Sequence, residues 1–151
     1  SRNNTFINNS IINRNYLYYD IKFATASING TWLIDQYIEN YTFTGVGGTI
    51  NIKNSNYGEI RFIGAVNGTG TNLSNDIRIG NNYTYTNPAK IGLNKSAEIT
   101  LYGLSFTTLP SVKRDGVVCS SPACSTVTSL GGNKYNFTVQ GAAGSYALYK
   151  T

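Results

Sequence analysis

The 151-residue chain has no histidine and no methionine, only two cysteines and three prolines, and charges at just 13% of positions. That charge content is about half the share of an ordinary globular protein. Each shortage closes a class of function. Without histidine, neither a Ser/His/Asp nor a Cys/His constellation can be assembled. Two thiols without histidine cannot supply the four ligands of a structural zinc site. No 19-residue window is apolar enough for a membrane-spanning helix. Twelve basic against seven acidic residues give a net charge of +5. The basic residues are scattered, however, and only Lys113 and Arg114 are adjacent. No basic run interleaved with aromatics could follow a phosphate backbone, so nucleic acid is not an expected partner.

Acid–base chemistry would fall to Asp20, Asp35, Glu39, Glu59, Asp76, Glu98 and Asp115. No motif sets two of them across a cleft, as a glycosidase needs. Asp35 and Glu39 could share one helical face, but solvated carboxylates are the plainer reading. "GVGG" at 45–48 lacks the Gly-Lys-Ser/Thr of a phosphate loop, and no calcium-loop pattern occurs. "TNLSND" and "VKRDG" offer oxygens only as any polar loop does. The expectation is a protein that is not an enzyme and holds no metal or cofactor.

What is present is strand-forming. Hydrophobic residues make up 40% and aromatics 13%, with twelve Tyr, six Phe and one Trp. That is enough for one core in a chain of this length. The hydrophobic period is two. Leu17, Tyr19, Ile21 and Phe23 share a face, as do Ile60, Phe62, Gly64 and Val66, with Glu59, Arg61 and Ile63 opposite. Ile77 and Ile79, then Ile99, Leu101 and Gly103, repeat the pattern. "KYNFTV" and "YALYK" close the chain. Such runs suit a half-buried pleated surface. Turn signals such as Asn29-Gly30, "NSNYG", "NGTGTN", "NPAK" and "LGGN" separate them. Short strands with turns every eight to twelve residues indicate an all-β fold. A single β-sandwich, Ig-like, pilin-like or jelly-roll-like, is expected. "TWLIDQYIENYTF" is ambiguous: Trp32, Leu33, Tyr37 and Ile38 could line a short helix, though its aromatic and β-branched content also suits a strand. Trp32 with the tyrosines could form a sugar-stacking platform, although alternating aromatics more often belong to a core.

Two features point outside the cell. Cys119 and Cys124, in "CSSPAC", are spaced for a local disulfide, which needs an oxidising compartment or a hyperthermophile. Nine Asn-x-Ser/Thr sequons occur, at Asn3, Asn8, Asn29, Asn40, Asn67, Asn72, Asn82, Asn94 and Asn136. A shuffled chain with the same 20 Asn and 30 Ser plus Thr would give about four. With so little charge, solubility has to come from another source, and N-linked sugar is the expected one. The start at Ser1 without Met fits a mature chain whose leader has been removed, and with the disulfide and sequons an extracellular, cell-surface location is expected.

The N-terminal stretch "TFINNSIINRNYLYYDIKF" sets one further expectation. An apolar segment, residues 5–12, precedes a polar break at Asn13-Arg14-Asn15. Residues 1–15 are expected to form a tail and hinge, and residues 16–151 a β-sandwich head. An open sheet edge can accept an extended segment of another chain as an extra strand. Phe6, Ile7, Ile11 and Ile12 are the candidate anchors. In a regular strand Ile7, Asn9 and Ile11 point one way, and Phe6, Asn8 and Ile12 the other. The tail would then lie outside its own subunit's fold, and the chain's partners would be other copies of itself.

The Asn/Thr/Tyr-rich composition, the dense sequons, the β pattern and the tail at 5–12 together resemble subunits of archaeal surface filaments. In particular, the chain is similar to the "thread" pilins of thermoacidophilic archaea, which are themselves like bacterial type 1 pilins. The resemblance implies a head-to-tail homopolymer assembled by donor-strand complementation, coated in N-glycans, with a role in adhesion or biofilm. No long apolar helix of the type IV pilin kind is present. The competing readings are a surface-layer or adhesin-type domain, with or without sugar binding, and an archaeal virus coat protein.

Overall fold

The computed structural model describes residues 4–11, 19–23, 30–44 and 48–151, without the side chains of Ser10 and Ile11. Three short strands open the chain: β1 (Thr5–Ile7), β2 (Ser10–Ile11) and β3 (Ile21–Phe23). The ambiguous aromatic segment is extended. It forms β4 (Thr31–Ile34), β5 (Tyr37–Ile38) and β6 (Tyr41–Phe43). In β4, Thr31 and Leu33 are buried while Trp32 and Ile34 are half-buried, which is the alternation of a strand. Asp35 and Glu39 therefore share no helical face. Asp35 instead accepts a hydrogen bond from the Ser55 amide, and Glu39 one from the Tyr37 hydroxyl.

The central strands are β7 (Ile50–Asn54), β8 (Gly58–Phe62) and β9 (Gly68–Gly70), followed by the one-turn helix α1 (Leu73–Asp76). Then come β10 (Ile77–Gly80), β11 (Tyr83–Thr86), β12 (Ala97–Leu101), β13 (Ser111–Arg114), β14 (Val117–Cys119), β15 (Thr128–Gly131), β16 (Lys134–Val139) and β17 (Gly144–Tyr149). The fold is all-β and sandwich-like. A seven-stranded sheet runs β1-β4-β7-β8-β12-β16-β15, and a five-stranded sheet runs β10-β11-β17-β13-β14. Two small sheets, β2-β5 and β3-β6-β9, continue the margin that begins at β1 and β4.

Between the two large sheets lies one hydrophobic core. Ile60, Ile99, Leu101, Phe137, Tyr146 and Leu148 are at most 3% exposed and belong to it. Phe137 and Tyr146 bring the sheets together at a ring-centroid distance of 6.3 Å. Hydrophobic alternation explains this half of the molecule directly. In β16, Tyr135, Phe137 and Val139 point inward, and in β17 Tyr146 and Leu148 do.

Helix α1 is not evident from hydrophobic periodicity. Asn72 caps it, with its side chain accepting from the Asn75 amide at 2.8 Å, as an N-cap asparagine does. The helix delivers Asp76 into the interior. There one carboxylate oxygen accepts from the Tyr41 hydroxyl at 2.8 Å and the other from Asn87 Nδ2 at 2.7 Å. Cys119 and Cys124 form a disulfide, as their spacing indicates.

Candidate assembly edge

The N-terminal strands lie along one margin of the chain's own fold. β1 pairs in parallel with β4, as Thr5↔Trp32, Phe6↔Leu33 and Ile7↔Ile34. β2 pairs in parallel with β5, as Ser10↔Tyr37 and Ile11↔Ile38. The expectation of a tail outside its own subunit therefore meets a different arrangement: residues 5–11 cover the edge of β4 and β5 in the same chain. The physical reason is that a bare β4 would leave a row of amide and carbonyl groups unpaired, and the nearest extended segment satisfies them. Residues 1–3 and 12–18 lie outside the described residues, so Asn3, the Asn13-Arg14-Asn15 hinge and the Ile12 anchor are not placed.

The pairing keeps a constant offset of 27 residues from Thr5 to Ile11, and it bends once. Asn8 has φ +55°, and Asp35, which the same offset sets opposite it, has φ +51°. Both backbones thus turn through the left-handed region at the same point. Asn and Asp tolerate that region better than other non-glycine residues. The bend changes which residues share a face. Paired neighbours in a sheet point the same way, so Phe6 lies on the buried side, beside Leu33. Ile7 lies on the other side, beside Ile34. Beyond the bend, the register sets Ile11 next to the buried Ile38.

Backbone contacts dominate the attachment. Outside the ladder itself, the Trp32 amide donates to the Asn4 carbonyl at 2.7 Å. The Asn8 amide donates to Ile34 at 2.9 Å, and the Tyr37 amide to Asn9 at 3.2 Å. The side chains are covered unevenly: Phe6 is 37% exposed and Ile7 59%. Next to this margin the sandwich is open. A groove of about 320 Å³ runs between β4, β7 and β10, with Leu33, Ile52, Ile77 and Ile79 in its walls. Its rim carries Asp35, Lys53 and Arg78. The side-chain oxygen Oε1 of Gln36, also in its lining, is buried with no hydrogen-bond partner among the described residues.

Behind the edge, β6 is held firmly. Phe43 stacks on Phe23 of β3 at 5.4 Å and touches Tyr41 at 5.2 Å. Burial, and then the hydrogen bond to Asp76, push the Tyr41 hydroxyl well above the ordinary tyrosine range. Tyr102 is raised in the same way, by burial and then by its 2.6 Å hydrogen bond to Glu59. Burial likewise raises Tyr146. These phenols are structural donors.

Trp32 is half-buried in β4, with β1 on one side and β7 on the other. Of the sequon asparagines, Asn8, Asn67 and Asn94 are exposed, while Asn40, Asn72, Asn82 and Asn136 are half-buried; Asn29 falls outside the described residues. Among the described residues no group of three or more acidic or cysteine side chains could hold a metal ion. No described helix is long and apolar enough to cross a membrane. Comparison with family models, with curated proteins and with solved structures finds no match to this chain.

Proposed function

We propose that this chain is a structural subunit of an extracellular, glycosylated filament. In it the N-terminal segment lies on the β4–β5 edge of the neighbouring subunit rather than on its own. The observation that carries the reading is the matched bend. Residues 5–11 follow β4 and β5 at one offset, and Asn8 turns where Asp35 turns. The segment is shaped for this edge, and an identical edge exists on every other copy.

Exchange between copies keeps every contact and changes only which molecule supplies it. The energetics favour exchange. Each backbone hydrogen bond contributes about 0.5–1.5 kcal/mol net, while ordering the tail costs about 1–2 kcal/mol per residue. With Phe6 still 37% exposed and Ile7 59%, the tail is held close to break-even in its own subunit. A neighbour's head that also covers these side chains gains roughly 1.5–3 kcal/mol for each one fully buried. Passing the tail in one direction, head to tail, produces an open polymer instead of a closed dimer. The local disulfide and the dense sequons support an extracellular setting.

Pairing within one chain favours a second reading, a monomeric surface-layer or adhesin-type domain whose tail stays at home. A variant lacking residues 1–12 separates the two. If the filament reading holds, the full chain forms filaments in electron micrographs, and the shortened chain folds but stays monomeric by light scattering. Filaments of normal length from the shortened chain, or a strictly monomeric full chain, would refute it.

A further inference from the structure

The sequons are not chemically equivalent in the folded chain, and the difference lies in what each amide nitrogen already does. From this we infer that Asn67 carries an N-linked sugar whereas Asn82 and Asn136 are structural amides that stay unmodified. The inference rests on the chain being an exported glycoprotein, as proposed above.

Asn82 sits in the tight turn joining β10 to β11, at φ +54°. Its Nδ2 donates to the Leu148 carbonyl at 2.8 Å, and its Oδ1 accepts from the Leu148 amide at 3.0 Å. The backbone ladder between β11 and β17 stops at Thr84↔Tyr146. The Asn82 side chain thus supplies the next rung, pairing with Leu148 as a strand residue would. Leu148 itself is 3% exposed.

Because one residue receives both bonds, the hydrogen in use is the one on the same side of the amide as Oδ1. N-glycosylation needs that position. The amide nitrogen bonds to the anomeric carbon of a lipid-pyrophosphate-linked oligosaccharide. The sugar–phosphate C–O bond breaks, the pyrophosphate leaves with the electron pair, and the amide proton passes to a base of the transferring enzyme. The product is a secondary amide, and such amides strongly prefer the trans form. That form sets the sugar on the Oδ1 side, where Leu148 stands. A sugar added before folding would block the bracket, and a completed bracket would block the sugar. The hydroxyl residue of this sequon, Thr84, is 1% exposed and equally out of reach.

Asn136 is closed differently. It lies within β16 and donates from Nδ2 to Glu98 Oε1 at 3.1 Å and to Thr100 Oγ1 at 3.0 Å, both on the adjacent β12. Both amide hydrogens are taken.

Asn67 is open. It is exposed just before β9, and its Oδ1 lies against Gly92. No neighbouring atom comes within 4 Å of the place where a Cβ would stand on Gly68, the middle residue of its sequon, and Thr69 is exposed.

The test is glycopeptide mapping of the full chain secreted from a host whose oligosaccharyltransferase reads Asn-x-Ser/Thr. Sugar on the Asn67 peptide, with none on the Asn82 and Asn136 peptides, is expected. In variants, Asn67→Gln should lose one sugar mass and keep its melting temperature. Asn82→Gln should lose no sugar mass and melt lower. Sugar on Asn82 or Asn136, or a bare Asn67 beside other modified sites, overturns the assignment. A chain with no sugar anywhere overturns it together with the glycoprotein reading. Filament formation, scored separately by microscopy, would still stand or fall alone.

Discussion

Replacing Tyr41 with Phe tests whether a single buried hydrogen bond braces the candidate assembly edge. Tyr41 is fully buried in β6, and its hydroxyl donates at 2.8 Å to Asp76, a carboxylate only 7% exposed. The substitution keeps the ring and its contact with Phe43 but strands one carboxylate oxygen in the interior. The other oxygen keeps its bond from Asn87 Nδ2 at 2.7 Å, so the loss is one charge-assisted bond. Such a loss costs about 1.5–3 kcal/mol. For a chain of this size each kcal/mol lowers the melting temperature by about 2–4 °C, so a drop of roughly 3–12 °C is expected. A second signature is alkaline. In the unfolded chain Tyr41 ionises near pH 10, whereas in the fold it holds its proton to higher pH. Its contribution is therefore complete below about pH 10 and is lost as pH rises from there towards the folded value. Thermal melts followed by circular dichroism at pH 7 and above pH 10 should show Tyr41→Phe destabilised at neutral pH and less sensitive to alkali than the parent. A variant within about 0.5 kcal/mol of the parent, with the same alkaline limb, would refute this account of how β6 is held.

Two further substitutions probe the scaffold. Gly58 has φ +156° and packs against β12 so closely that a Cβ there would collide with the Thr100 carbonyl oxygen. Gly58→Ala should cost about 1–3 kcal/mol, read as a lower urea midpoint. Reducing the Cys119–Cys124 bond opens a ring of only six residues. A loss of about 2 kcal/mol is expected from such a short loop, with the β-sheet circular dichroism signal retained at room temperature.

The strands of the core could be read from the sequence because each has one wet and one dry face. Ile60 and Phe62, Ile99 and Leu101, and Tyr135, Phe137 and Val139 all alternate as strand residues do, and all are buried. The pairing of the cysteines was equally legible from their spacing. The aromatic segment at 31–43 was not, because Trp32, Leu33, Tyr37 and Ile38 fit either period. Its pairing, β4 with β1 and β7, β5 with β2, and β6 with β3 and β9, settles it as extended. Helix α1 escaped notice because one turn is too short to show a period; its only signal was Asn72 three residues before Asn75. The tail shows a subtler limit. Strict alternation assumes an unbroken strand, but Asn8 and its counterpart Asp35 both turn through positive φ. Asn and Asp at such positions were the available clue, and only the pairing register gives it meaning. The sequons show the same limit. Asn67 and Asn82 have the same motif, yet only the fold shows one amide free and the other bracketing Leu148.

The central claim is that residues 5–11 sit on a neighbour's β4–β5 edge. Cysteines at Ile7 and Ile34 test it directly, because the two are register partners. Adjacent strands lie about 4.8 Å apart, within the Cα separation a disulfide spans. Both native cysteines are already paired with each other. On a non-reducing gel of the oxidised Ile7→Cys/Ile34→Cys chain, donor-strand assembly predicts a ladder of covalent multimers that collapses to monomer on reduction. A single monomer band with both new thiols consumed would contradict it, and would leave the tail on its own subunit.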